Sequence, residues 1–426
     1  MKPSDHLFRL IKSMDPSEKR YFMVFASRQK GTRNYVRLFE ALYRKDAFDE
    51  FDIKKEFAGE TFVSHFPVLK NYLYKLVLKS LDAYHAGSST NARLKEQLRH
   101  IEILYARGLY EQCRNLIHKG KTMATRQDDN LRLIEFLEWA RKLTTASGDP
   151  AIPQHELAES IHEEERALVL MQNKKEYQNL QGQLSLWVMK EGVIRKKEDL
   201  EELKKFMTNP LLQEERSALS YSAKLIFCRI LSTCHTIIGD VEKMYTVSCR
   251  LVDLLESKPG MAAEDPGLYV RALNNLLQPL FAMKKYNEFR KTIERMRNIP
   301  AKYPSARSEH IRMLIFTRTY SAELTMYHSL GDFSGGMALA GDLEKGFAQF
   351  GDKINKEVRL FLFYQITVSY YGAGNYSGAL SWLNRILNDT DTQVRADIHS
   401  FARIVNLIIH FELKHYDLLE YTIRST

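Results

Sequence analysis

Apolar side chains recur along most of this chain at alternating intervals of three and four residues, the spacing that places them on one face of an α-helix. Short polar or glycine-containing breaks interrupt these runs. The stretch FYQITVSYYGAGNYSGALSWLNRILN, residues 363–388, shows the resulting unit most plainly. Ile366 and Tyr370 belong to a first apolar helix. Gly374 and Asn375 tolerate left-handed backbone, so they end that helix and turn the chain. Tyr376, Ala379, Leu383 and Ile386 then share one face of a second helix, with Tyr376 filling the corner and small Ala379 letting the helices approach. One such hairpin leaves too much apolar surface open to stand alone, so the pattern predicts copies stacked beside it.

The copies are present. With the residue that fills each corner as the mark, Val241 follows Gly239-Asp240, Tyr286 follows Lys284-Lys285 and Phe333 follows Gly331-Asp332. Tyr376 and Tyr416, the latter after Lys414-His415, continue the series, at separations of 45, 47, 43 and 40 residues. Earlier, LYARGLYEQCRNLIHKG turns at Gly108, fills the corner with Tyr110 and sets Cys113, Ile117 and Gly120 on the following helix. Cys113 stands where a small packing residue is wanted.

With Ile366, Tyr370, Gly374, Tyr376, Ala379 and Leu383 at matching offsets, the pattern resembles a tetratricopeptide-type repeat. Its units are longer than the usual ~34 residues, and the 376 copy lacks the customary Pro near its end. The resemblance implies an all-α chain whose residues 217–426 form a right-handed superhelix of helical hairpins, with 92–215 as less regular hairpins. It also implies protein binding rather than catalysis, though such scaffolds host many functions.

Residues 1–86 read as a separate basic helical module. Asp15-Pro16-Ser17-Glu18 is a helix start with a capping carboxylate, Pro at the first helical position and Glu three residues after the cap. Further helices are expected near 34–44, 53–57 and 67–85, the last with apolar residues over a wide arc. The pair 53–57 and 67–85 invites a helix-turn-helix reading. Its second helix, however, opens with His65-Phe66-Pro67-Val68-Leu69, where base-reading Arg, Asn or Gln would be wanted. Gly87 to Asn91 reads as a linker, and Ser147-Gly148-Asp149-Pro150 as a second break. Between 153 and 215 the periodicity is helical without a glycine corner. Asn173 to Tyr177 is either a turn or part of one straight helix. Lys196, Lys197, Glu201, Glu202, Lys204 and Lys205 are spaced to pair along a solvated face. Pro279 falls inside a first helix, where it can kink it.

Charge sharpens this division. Of the 426 residues, 1–90 hold 16 Lys/Arg against 11 Asp/Glu and 91–146 hold 11 against 7, whereas the remainder balances, so the whole net charge of +9 sits in the first third. Such an excess suits an acidic partner, nucleic acid or an anionic surface. The first ten residues carry Asp5 and Pro3 where a signal peptide is apolar, and no run approaches a membrane span, so a cytoplasmic location is expected. Four cysteines, Cys113, Cys228, Cys234 and Cys249, do not make a disulfide framework.

Candidate chemistry is sparse. Cys228, Cys234, His235 and Cys249 match no metal-ligand spacing, and Cys228 and His235 fall at core-facing helical positions. His155, Glu159, His162 and Glu163 share a face without HExxH and read as solvated. Gly331, Gly335, Gly336, Gly341 and Gly346 lack the ending of a phosphate loop, so corner and close packing account for them. No nucleophile elbow or kinase signature occurs. The sequence therefore predicts no enzyme, cofactor or metal.

In proteins of the resembled family the first helices line a groove. Carried onto this chain, the groove set is Arg229, Thr233, Thr236, Arg271, Asn274, Gln278, Phe281, Arg318, Ser321, Thr325, His328, Tyr364, Val368 and Tyr371. Three arginines at equivalent ends, an amide pair and an aromatic patch suit an extended acidic or carboxylate-ended peptide. The matching set in the last unit, Ile404, Ile408 and Phe411, is apolar and predicts an end that packs against something, such as a second copy of the chain. The leading expectation is a protein-binding scaffold; nucleic-acid binding through 1–146 is the alternative.

Overall fold

Helix capping sets where the elements begin. In the computed structural model, which describes residues 5–28, 33–87, 89–147, 154–191, 196–390, 393–417 and 419, every regular element among the described residues is helical. The chain forms two units, Met1–Ala167 and Leu168–Thr426.

The first unit opens with α1 (His6–Ser13), α2 (Pro16–Ser27), α3 (Arg33–Arg44), α4 (Glu50–Glu56) and α5 (Phe66–His85). The capping box at Asp15 is made: its carboxylate accepts from the backbone N–H of Ser17 and Glu18, and Glu18 accepts from the N–H of Asp15, all at 2.8 Å. Leu7, Ile11, Phe22, Leu38, Leu42, Ile53, Leu73 and Val77 form one buried cluster, with α5 packed against α1, α2 and α3. Phe66, which opens α5, is wholly buried. The N-terminal end of the supposed recognition helix thus packs a phenylalanine into the module.

Three further helices follow, α6 (Thr90–Tyr105), α7 (Tyr110–Arg126) and α8 (Asn130–Ser147). The expected linker is short, because Ser89 already caps α6 through the N–H of Ala92; Ser88 lies outside the described residues, as does the break at 148–150. The chain turns at Gly108 and again at Asp128, with φ of 71° and 56°. Cys113 is buried and its thiol points at the carbonyl of Ile101.

Then α9 (Gln154–Glu191) runs 38 residues without a break, so Asn173 to Tyr177 is not a corner. Asn173 is polar for another reason: it is buried, its Nδ2 donates to the carbonyl of Ser217 and its Oδ1 accepts from the N–H of Leu219, both at 3.0 Å. The division between the two units falls inside α9. On the face expected to be solvated, Glu159 and His162 are exposed, while Glu163 and Glu164 are half-buried and paired with Lys121 of α7 and Arg141 of α8. The side chain of His155 lies outside the described residues.

The second unit continues with α10 (Lys197–Met207), α11 (Tyr221–Ile238), α12 (Val241–Ser257), α13 (Pro259–Glu264), α14 (Pro266–Ala282), α15 (Tyr286–Arg297) and α16 (Ile299–Lys302). It ends with α17 (Glu309–Leu330), α18 (Phe333–Ala338), α19 (Ala340–Phe350), α20 (Lys356–Gly372), α21 (Tyr376–Leu387) and α22 (Ala396–Glu412). Glu202 of α10 accepts from the Trp187 indole. Every corner residue marked in the sequence from Val241 to Tyr376 is the first residue of its helix. The dipeptide before it divides the work. Gly239, Gly331 and Gly374 take φ of 80°, 70° and 74°, and then Asp240, Asp332 and Asn375 cap the next helix through the N–H of Lys243, Gly335 and Gly378. Where glycine is missing, Lys284 and Lys414 take the same left-handed conformation at φ of 58° and 61°, at a cost of roughly 1 kcal/mol for an L-residue. Pro279 sits in the last turn of α14, which continues to Ala282. The expectation of an all-α chain of tetratricopeptide-like hairpins holds.

The glycine run resolves into packing. A Cβ on Gly346 would lie 2.0 Å from the Phe316 ring, and one on Gly336 would lie 2.5 Å from Ser369 Oγ. Both glycines are therefore points of close helix approach.

Candidate functional site

The three arginines that the resemblance assigns to a groove meet in one cleft of the second unit, with a volume of about 540 Å³. Arg229 and Thr233 of α11, Arg271 and Asn274 of α14, and Arg318 of α17 all line it. Each comes from the first helix of a successive hairpin, so the stacking brings residues 40 to 50 positions apart onto one wall. The opposite wall belongs to α9, with Gln181, Ser185, Val188 and Met189. Those α9 residues were not predicted, because a helix without a corner cannot be aligned with the repeats and its inward face could not be assigned.

The electrostatics are one-sided. Among the described residues the ion pair at this cleft is Arg271 Nη2 to Asp265 Oδ2, a long 3.7 Å contact between half-exposed side chains. Arg229 is half-buried. Burial lowers its pKa, the nearby Arg271 charge lowers it further, and Asp265 acts in the opposite direction. A guanidinium stays protonated at neutral pH regardless. The cleft thus carries a desolvated, incompletely compensated positive charge, surrounded by the amides of Gln181, Asn274 and Asn275. Guanidinium and amide groups in this arrangement can hold carboxylate or phosphate oxygens by charge-assisted hydrogen bonds.

The rest of the predicted groove set lies elsewhere. Gln278 and Thr236 are exposed and do not line the cleft. Phe281 packs edge-on against Tyr286, 6.3 Å between centroids. Thr325 and His328 bond across to the next hairpin, Thr325 Oγ1 accepting from Gln365 Nε2 and His328 Nε2 meeting Ser369 Oγ, both at 2.8 Å. Ser321 contributes its carbonyl to the same Gln365, and Val368 is half-buried. Tyr371 packs beside Tyr376, while Tyr364 lies 6.4 Å from the Phe401 ring. Ile404, Ile408 and Phe411 are all exposed on α22.

Cys228, Cys234 and His235 are buried, and burial pushes both thiols up to about 12. Among the described residues, no three His, Cys, Asp or Glu side chains come together as a metal-ligand set, and no helix is long and apolar enough to cross a membrane. The first unit has a cleft of its own, about 500 Å³, lined by Arg93, His118, Lys119 and Arg126 of α6 and α7.

No family model matches the chain, and no curated protein does. Among solved structures, it is similar to the crystal structure of the Signal Transduction ATPase with Numerous Domains (STAND) protein with a tetratricopeptide repeat sensor from Pyrococcus horikoshii. The identity is 10%, the match covers 100% of this chain and 67% of that one, and the TM-score is 0.41.

Proposed function

We propose that this chain is a non-catalytic protein-binding scaffold that holds an acidic segment of a partner protein in the cleft between α9 and the helices α11, α14 and α17. The observation that carries this reading is the convergence of Arg229, Arg271 and Arg318, from three successive hairpins, on one cleft. Arg229 supplies the innermost charge, and an incoming carboxylate relieves its repulsion with Arg271. Asn274 and Gln181 offer amide groups to the backbone of an extended segment. Val188 and Met189 give the opposite wall an apolar surface for the segment's side chains.

The test is capture from a native lysate by the full chain, beside a variant in which Arg229, Arg271 and Arg318 are all changed to Ala, with and without nuclease. A protein retained after nuclease and lost with the triple variant supports the reading. Equal retention by the variant overturns it. A second reading, nucleic-acid binding by the first unit, draws on Arg93, Lys119 and Arg126 of the α6/α7 cleft and the +9 excess of 1–146. It predicts capture abolished by nuclease, with affinity falling steeply and linearly in the logarithm of salt concentration.

A further inference from the structure

On α22, Phe401, Ile404, Ile408 and Phe411 are 55%, 52%, 40% and 59% exposed, on a helix whose adjoining face buries Ile398, Ala402 and Ile409. Their spacing of three, four and three is that of a coiled-coil seam, which asks for a helix as its partner. The order of side chains narrows the choice further. Read in either direction the stripe is Phe, Ile, Ile, Phe, with the same intervals. The symmetry extends past both ends: the Tyr364 ring lies 6.4 Å from Phe401, and the Tyr416 ring lies 6.1 Å from Phe411. A surface that reads the same from both ends is self-complementary under a two-fold rotation, which is the requirement of an isologous interface.

We propose that α22 is the dimerisation element of this protein, pairing antiparallel with α22 of a second copy. Phe401 then meets Phe411 of the other copy, Ile404 meets its Ile408, and the two-fold axis crosses the stripe midway between Ile404 and Ile408. Tyr364 of one copy closes over the end that carries Tyr416 of the other. With aromatic side chains burying some 150–250 Å² each when covered, the half-exposed stripe and Tyr416 offer about 500 Å² per copy. The pair therefore buries about 1,000 Å², the lower bound of a specific interface. Such an interface fits a reversible dimer, populated at micromolar concentration, rather than an obligate one. The proposal is independent of the arginine cleft, which lies on α9, α11, α14 and α17.

Sedimentation equilibrium of the full chain tests it. The wild type is expected to move from monomer to dimer with rising concentration. The double substitution Ile404→Glu and Ile408→Glu places charges on an already exposed face, so it is expected to keep the wild-type circular dichroism and melting temperature while raising the dimer Kd at least about 100-fold, as for a central apolar anchor. The Arg229, Arg271 and Arg318 triple variant should dimerise as wild type does. Orientation is read separately by disulfide trapping. Phe401→Cys and Phe411→Cys proteins, mixed and oxidised, should form a crosslinked heterodimer, whereas neither should crosslink with itself, because like positions lie about 15 Å apart along an antiparallel pair. Wild type serves as the blank, its own cysteines being buried or half-buried. A wild type that stays monomeric at 100 micromolar overturns the proposal. So does a dimer indifferent to the double Glu variant, or a Phe401→Cys protein that crosslinks with itself.

Discussion

Two glycines of α19 provide a test of how this protein packs, because the same substitution should act in opposite directions five residues apart. A Cβ added to Gly341 meets nothing within 4 Å, whereas one added to Gly346 meets Phe316 at 2.0 Å. Replacing a helical glycine with alanine relieves backbone entropy and is worth up to about 1 kcal/mol, less in the first turn where Gly341 lies. At Gly346 that gain is opposed. The ring has to retreat by about 1.5 Å to reach ordinary contact, yet Phe316 is only 8% exposed and is hemmed in by Tyr320, Phe350 and Phe347 at centroid distances of 5.1, 5.5 and 5.9 Å. Overpacking of a closed core costs roughly 1–3 kcal/mol, occasionally more. The net expectation is that Gly341→Ala stabilises by about 0.5 kcal/mol and Gly346→Ala destabilises by about 2 kcal/mol. For a unit of this size the latter lowers Tm by about 5 °C. Melts by circular dichroism read the difference, and Trp382 emission reports locally, since its ring lies 6.1 Å from that of Phe347. Adding Phe316→Leu to Gly346→Ala should recover part of the loss by vacating the socket. A Gly346→Ala protein as stable as Gly341→Ala, or one that Phe316→Leu worsens additively, would refute the reasoning.

Three further outcomes are expected. Lys284→Gly should raise stability by roughly 1 kcal/mol by removing the left-handed penalty at φ 58°, seen as a higher urea midpoint. Asn173→Ala should cost about 2 kcal/mol by removing both hydrogen bonds of this buried amide, to the Ser217 carbonyl and the Leu219 N–H, at about 1 kcal/mol each, seen in the thermal melt. Burial lowers the pKa of both His235 and His328 below the usual 6.5. The unfolded chain therefore takes up protons first, and the stability present above pH 6.5 is lost as pH falls through the folded values. The urea midpoint should drop between pH 7.5 and 5.5, and the His235→Gln, His328→Gln double variant should show a shallower drop.

Much of this architecture was legible because corners are written locally. A glycine followed by Asp or Asn supplies a left-handed residue and then a cap, so Gly239, Gly331 and Gly374 could be read one by one. Lys284 and Lys414 were found only through the aromatic residue that follows two positions later. Asp128 was missed, although the polar run Gln127-Asp128-Asp129-Asn130 between two apolar stretches was its signal, since Asp is among the residues that tolerate left-handed backbone. Asn173 could not be read at all: its partners lie 44 and 46 residues away, and no local pattern announces them. The same limit divided the cleft. Arg229, Arg271 and Arg318 occupy corresponding positions in successive first helices, so the groove implied by the resemblance to tetratricopeptide-type repeats brought them together. Gln181 and Ser185 reach the cleft only because of where α9 packs.

Among the described residues, five aromatic rings rest where a neighbouring helix has no side chain: Phe136 on Gly120, Phe316 on Gly346, Tyr327 on Gly335, Phe333 on Gly372 and Tyr370 on Gly378. Each is a key cut for one lock, and the locks differ in which helix carries the glycine and which the ring. Three of them close a hairpin on itself, and two, Phe136 on Gly120 and Phe333 on Gly372, join a hairpin to the helix packed beside it. At the Phe333–Gly372 seam the hairpins are not interchangeable parts. Exchanging either one would set the ring against a Cβ atom or leave its socket empty, so the chain has the form of a repeat array with its order fixed at that seam.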